Sequence, residues 1–237
     1  MAGLHSNRGA KRAREARAEL GLEPGAPLAC LLSVVEQRFP VVVASLPNEV
    51  AGACTDGLLW VNGDEFVGRQ RFTLAHEFGH AWIGHDVRLK VDSDETFLRT
   101  SDPFEIEANA FAAEFLVPKA GLVARTDGEP TLEDVVRVAV EYGVSTPMML
   151  VRFKQNKIGS PEQLARLQRE VDAGEHAALF DWLDLEPHVD RLADLERLPY
   201  LSPPLRGSLL DAVVHGDAAA SPELAAALAR LMRPDLR

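Results

Sequence analysis

Two histidines stand four positions apart in the stretch RFTLAHEFGHAWIGH, residues 71–85: His76 and His80. On a helix they lie about 40° apart on one face, so both imidazoles can grip a single metal ion. Glu77 follows the first histidine. It lies about 60° from His80, within reach of a water on that metal but too far round to be an obvious ligand. This is the HExxH pattern of zinc peptidases, and the chemistry it suits is metal-assisted attack of water on a peptide carbonyl. Phe72, Gly79 and Ile83 share the histidines' side of the helix, and Leu74, Phe78, Ala81 and Trp82 share the other, which predicts a buried helix. Buried imidazoles and carboxylates must be hydrogen-bonded, paired or metal-bound. Gly79 lowers helix stability by about 1 kcal/mol against alanine, which implies a close approach to the backbone.

A catalytic zinc takes three protein ligands and keeps one position open. The third ligand is expected from the next helix, Phe104 to Val117 (FEIEANAFAAEFLV), which Pro118 ends. With Glu107 as reference, Phe111 and Phe115 lie at about 40° and 80°, on its own side, whereas Glu105 lies at about 160°. Glu107 is therefore the expected ligand. Glu114 shares its face and is the second choice, with a salt bridge or an outer role more in keeping with its distance along the helix. His85 does not fit a third-histidine pattern, because Ile83 and Asp86 stand where that pattern needs glycine and histidine. Gly84 is a good helix stop, so His85 is expected to cap the helix or support a ligand.

Elements must hold these residues in place. The chain has 237 residues and 46% hydrophobic content, enough for a substantial core. A net charge of −11 argues against general nucleic-acid binding. Arg8, Lys11, Arg12, Arg14 and Arg17 are interrupted by Glu15 and Glu19 and read as a solvated helix face ending at Gly21. No secretory signal or run of about eighteen apolar residues occurs, which predicts a soluble, cytoplasmic protein with no membrane partner. Cys30 and Cys54 have no metal-ligand spacing and read as free thiols. A helix is expected over Leu28 to Phe39. Strands are expected at Val41 to Ser45, Gly52 to Thr55 and Leu58 to Val61. Residues 86–103 are expected to form a loop, with a short strand near Phe97 to Arg99.

RFTLAHEFGHAWIGH followed by EIEANAFAAEFLVP resembles the ImmA/IrrE family of metallo-endopeptidases, over about Leu20 to Ile158. The family carries an (R)FTLAHELGH-type helix and a downstream ExEANxFAAxLLxP helix. Phe78 and Phe115 stand where leucine is commoner, and Val117 where methionine is, all apolar exchanges. By position, the resemblance makes His76, His80 and Glu107 the Zn2+ ligands and Glu77 the catalytic residue. It implies a protein substrate, a transcriptional repressor of the helix-turn-helix type, and hence a switch for transcription, for instance in a stress response.

The expected fold is α+β: a small antiparallel sheet packed on an HExxH zincin-like helical core, residues 1–125. A helix-turn-helix-like segment follows, residues 126–159. In it Thr131 and Asp134 cap one helix, and Gly143-Val144-Ser145 turns into another. Arg152, Lys154 and Lys157 could touch phosphate there, but the acidic chain makes DNA binding the weaker expectation. Residues 160–237 form a helical accessory region with helix starts at Ser160 and Ser221. His176, His188 and His215 share no ligand spacing. An oxyanion donor is not legible; His85, Arg99 and Tyr142 are candidates. The alternative reading is a DNA-binding or partner-binding regulator, antitoxin-like, with a mainly structural metal.

Overall fold

Short apolar runs between residues 41 and 62 form three strands: β1 (Val41–Ala44), β2 (Gly52–Thr55) and β3 (Leu58–Asn62). The computed structural model describes residues 2–46, 50–55, 57–85, 100–126, 128–195 and 200–202. A fourth strand, β4 (Tyr200–Leu201), completes a sheet of order β2-β3-β1-β4. β2 pairs antiparallel with β3, with Gly52 opposite Val61. β1 pairs parallel with β3, with Val41 opposite Leu59. The sheet is thus mixed, where an antiparallel one was expected. Alternation of apolar residues fixes which face is buried and leaves strand direction open. Here the β2–β3 hairpin docks with β3 innermost, and that order makes β1 and β3 parallel.

β4 has no run of its own to announce it. Ser202 holds it: its N–H donates to the Val41 carbonyl at 3.0 Å, and its Oγ accepts from the Val41 N–H at 2.6 Å. Val41, Val43, Leu59 and Val61 turn one face of the sheet into the main core.

That face meets α3 (Val67–Ile83), and α4 (Pro103–Leu116) packs on α3. Phe78 is the hub, with ring centroids 5.5 Å from Phe111, 5.2 Å from Phe115 and 5.4 Å from Trp82. A Cβ on Gly79 would lie 3.0 Å from the Phe111 ring, so this glycine allows the close approach its presence implied. Gly84 adopts φ 78° and ends α3, and the chain folds back until the His85 N–H meets the His80 carbonyl at 3.0 Å. Asp102 caps α4 by accepting from the Phe104 N–H at 2.9 Å, with Pro103 in the first turn.

On the far side of α4 lies α1 (Ala2–Glu19). Its face is not merely solvated: Ala13 and Ala16 are fully buried, and Arg17 donates to the carbonyls of Phe115, Glu23 and Ala26, each at 2.7 Å. The remaining helices are α2 (Leu31–Val35), α5 (Lys119–Val123), α6 (Leu132–Tyr142), α7 (Thr146–Asn156), α8 (Pro161–Asp172), α9 (Glu175–Trp182) and α10 (Glu186–Leu195). Thr131 and Asp134 form the expected capping box of α6, Gly143 turns at φ 64°, and Ser145 caps α7. One hydrophobic cluster runs from Ala13 of α1 to Val171 of α8.

Cys54 is buried and Cys30 half-buried, and no disulfide joins them. Among the described residues no helix is long and apolar enough to cross a membrane. Most of the loop expected over 86–103, with its short strand, and the helix start expected at Ser221 lie outside the described residues.

Candidate metal centre

α3 brings His76 and His80 together in full burial, their Nε2 atoms 3.0 Å apart. Glu105 from the first turn of α4 faces them, with Oε2 3.2 Å from His76 Nε2 and Oε1 3.6 Å from His80 Nε2. Ligand atoms of all three lie within 4.8 Å of one another, and among the described residues this is the one such group.

The outer nitrogens of both rings are engaged elsewhere. His76 Nδ1 lies 3.0 Å from Asn109 Oδ1, an acceptor, so Nδ1 carries the proton and Nε2 keeps its lone pair. His80 Nδ1 lies 2.9 Å from His85 Nδ1, and His85 Nε2 lies 3.2 Å from Glu107 Oε2. The carboxylate requires a donor, which places the His85 proton on Nε2. His85 Nδ1 then accepts from His80, and His80 Nε2 also points its lone pair inward. Two lone pairs and a carboxylate converging on one point repel unless a cation sits among them. Two imidazole nitrogens and a carboxylate are an established set for catalytic zinc, so the residues fit the metal. Burial pushes the His80 imidazole below its usual range, against the opposing pull of Glu105, and keeps it neutral as ligation needs.

The structure corrects the expected third ligand: Glu105, not Glu107, stands beside the histidines. Residues two apart on a helix point to opposite sides, and α4 is buried on both, by α3 and by α1. An apolar-face argument therefore had two solutions. Glu107 is as buried as Glu105 but turns toward α1, where it meets His5 Nδ1 at 2.7 Å and Arg8 at 3.2 Å, as well as His85. Burial alone would raise its pKa. The hydrogen bonds from His5 and His85 and the Arg8 charge outweigh that and hold it below the usual carboxylate range. Glu114 forms salt bridges with Arg152 at 2.5 Å and Arg14 at 3.3 Å.

Glu77 is buried where α3 passes β2. A Cβ on Gly52 would lie 3.1 Å from Glu77 Oε1 and 2.5 Å from Thr73 Cγ2, so only glycine lets the strand come this near. Gly52 and Asn109 were not singled out from the sequence. For Asn109 a signal existed: Glu105 and Asn109 are four apart, the spacing of His76 and His80, and so share a helix face.

Other expected roles fall differently. Tyr142 donates its hydroxyl to the Gly25 carbonyl at 2.8 Å, deep in the core, and is no oxyanion donor. His85 is enclosed between His80 and Glu107, and Arg99 lies outside the described residues. On α7, Arg152 binds Glu114 and the Val117 carbonyl, and Lys154 binds Gln168. His176 and His188 sit on different helices, and His215 lies outside the described residues.

No curated protein matches the chain at a significant level. Residues 42–154 match the model of a peptidase family described as the IrrE N-terminal-like domain. That span runs from β1 to α7 and contains both helices of the metal group. Over this segment, a little under half of the chain, the protein is similar to the ImmA/IrrE family of metallopeptidases.

Proposed function

We propose that the protein is a zinc-dependent endopeptidase that cuts a protein substrate, with His76, His80 and Glu105 as ligands and Glu77 as general base. The observation that carries this reading is the convergence of both Nε2 atoms on Glu105, with Glu77 next along the same helix. Zinc held there would supply Lewis acidity, polarising a peptide carbonyl and lowering the pKa of a water to about 7. Glu77 then takes the proton of the attacking water and delivers it to the leaving amine. His85 and Asn109 fix the tautomer and tilt of the two imidazoles, and Glu107 orients His85 in turn.

Family resemblance supports a helix-turn-helix repressor as substrate, cut in the cytoplasm to change transcription. A role for the protein's own α6–α7 pair in a DNA groove has less support. Thr146, Met149, Leu150, Arg152 and Phe153 of α7 are buried, and its cations are engaged within the protein.

The test is to co-express wild type or Glu77→Gln with candidate helix-turn-helix repressors, beginning with any encoded in the neighbouring genes. Zinc content should stay at the wild-type level while repressor cleavage falls by about 10²–10⁴-fold. Regulation that survives the substitution would instead mark a binding regulator with a structural metal.

A further inference from the structure

Away from the metal group, the start of α3, the α6–α7 turn and helices α9 and α10 line a half-open cavity of about 260 Å3. Phe66, Val67, Val140, Val144, Phe180 and Leu192 make its walls apolar, and among the described residues no Asp, Glu, Lys or Arg lines it. Three polar side chains interrupt those walls, Ser145, Thr146 and His176, and two of them hold an unpartnered polar atom. Thr146, 2% exposed, reaches the cavity from the first turn of α7, and its Oγ1 has no hydrogen-bond partner. His176 reaches it from α9, and its buried Nδ1 also has none.

Such atoms are rare in folded proteins, because a buried donor or acceptor without a partner forfeits its hydrogen bond to water. A threonine inside a helix can turn its hydroxyl back to the carbonyl four residues earlier. For Thr146, the first residue of α7, the residue four earlier is Tyr142 at the end of the separate helix α6, and Thr146 Oγ1 makes no hydrogen bond to it. The neighbouring Ser145 hydroxyl is occupied by the Met148 N–H at 3.3 Å. The cavity wall is also fixed in advance: Arg71 of α3 donates from Nε to the Gly143 carbonyl at 3.0 Å and from a terminal nitrogen to the Leu28 carbonyl at 2.8 Å. A preformed apolar cavity with a few convergent polar atoms is the usual form of a small-molecule site.

We propose that this cavity binds a neutral small molecule, apolar over most of its surface, whose one hydroxyl, carbonyl or amide group meets Thr146 Oγ1 and His176 Nδ1. Neutrality follows from the lining. A charged ligand would lose its hydration and find no counter-charge. The site is separate from the metal group, since Val67 precedes His76 by a helical rise of about 13 Å.

Two probes that share a tolyl ring test it on the zinc-loaded full chain: p-cresol, which is neutral, and 4-methylbenzoate, which is anionic. Calorimetry and ligand-observed NMR should show saturable binding of p-cresol, with 4-methylbenzoate at least about tenfold weaker. Thr146→Val keeps the shape and removes the hydroxyl, and should weaken p-cresol by about tenfold, the worth of one hydrogen bond. Leu192→Phe, which fills the cavity from a half-buried position, should abolish binding while zinc content stays unchanged. Without probe, Thr146→Val should leave the melting temperature equal or higher. A lower one would reveal an internal partner for the hydroxyl and overturn the proposal. So would the absence of saturable p-cresol binding, equal binding of the anion, or an affinity indifferent to Thr146→Val.

Discussion

The two faces of α4 carry the same residue type, two positions apart and equally buried, in different roles. Glu105 faces α3 and meets the inward nitrogens of His76 and His80. Glu107 faces α1 and meets His5, Arg8 and the His85 N–H. Burial does not distinguish them; the chemistry presented by the facing helix does. Lone pairs opposite a carboxylate leave room for a cation, whereas N–H donors and a guanidinium already satisfy one. The faces are still connected, because Glu107 holds His85 and His85 holds His80, so α1 takes part in ordering the metal group from behind.

Removing each carboxylate in turn probes that difference most strongly. Glu105→Ala should reduce zinc, measured on the purified protein, to background. Glu107→Ala should still bind zinc, with affinity lower by about 10–100-fold in chelator competition, as outer partners of ligating histidines typically cost when lost. The reverse order would make Glu107 the ligand. His85→Ala should match Glu107→Ala, and the double variant should be little worse than either, because both act through one chain of hydrogen bonds.

The same pair of faces should separate along the pH axis in the metal-free protein. Burial lowers the imidazole pKa of His80 and of His85, in each case against the pull of a neighbouring glutamate. Above their ordinary value of 6.5 both are neutral whether folded or unfolded, and they contribute nothing to pH dependence. Below it the unfolded chain takes up protons first, so stability should fall as pH drops from about 6.5. Glu107 is depressed instead. Its contribution is complete above its ordinary value of 4.5 and is lost as pH falls through the lower folded value. Urea midpoints from pH 8 to pH 3 should therefore decline in two windows. His85→Asn should shrink the first and Glu107→Gln the second; a single window unaffected by His85→Asn would contradict the burial of these imidazoles.

Much of this arrangement was legible in the sequence. His76, His80 and Glu77 were set by helical spacing, Gly84 by its place as a helix stop, and the three longer strands by their β-branched and apolar runs. What the sequence left open was how elements meet. A helix buried on two sides has no single apolar face, so Glu105 and Glu107 exchanged their expected places. Nor could spacing indicate that Tyr200–Leu201, far along the chain, would return to pair with β1, since two residues carry no period. Gly52 matters only because α3 crosses β2 beside it, a contact that exists in three dimensions alone.

The mildest probe lies at the outer end of the hydrogen-bond chain. Arg8 and His5 both hold Glu107, but the Arg8 side chain is 59% exposed while that of Glu107 is 1% exposed. A solvated guanidinium loses little when its partner goes, and water replaces it readily, so the pair is worth at most about 1 kcal/mol. Arg8→Ala should therefore shift the urea midpoint only slightly and leave zinc affinity within about threefold of wild type, because His5 and His85 keep Glu107 in place. A loss as large as that of Glu107→Ala would mean that α1 is held on α4 chiefly by charge, and that its buried Ala13 and Ala16 contacts are secondary. A small loss from Arg8→Ala beside a large one from His5→Ala would place the hold on α1 in a single buried hydrogen bond at 2.7 Å.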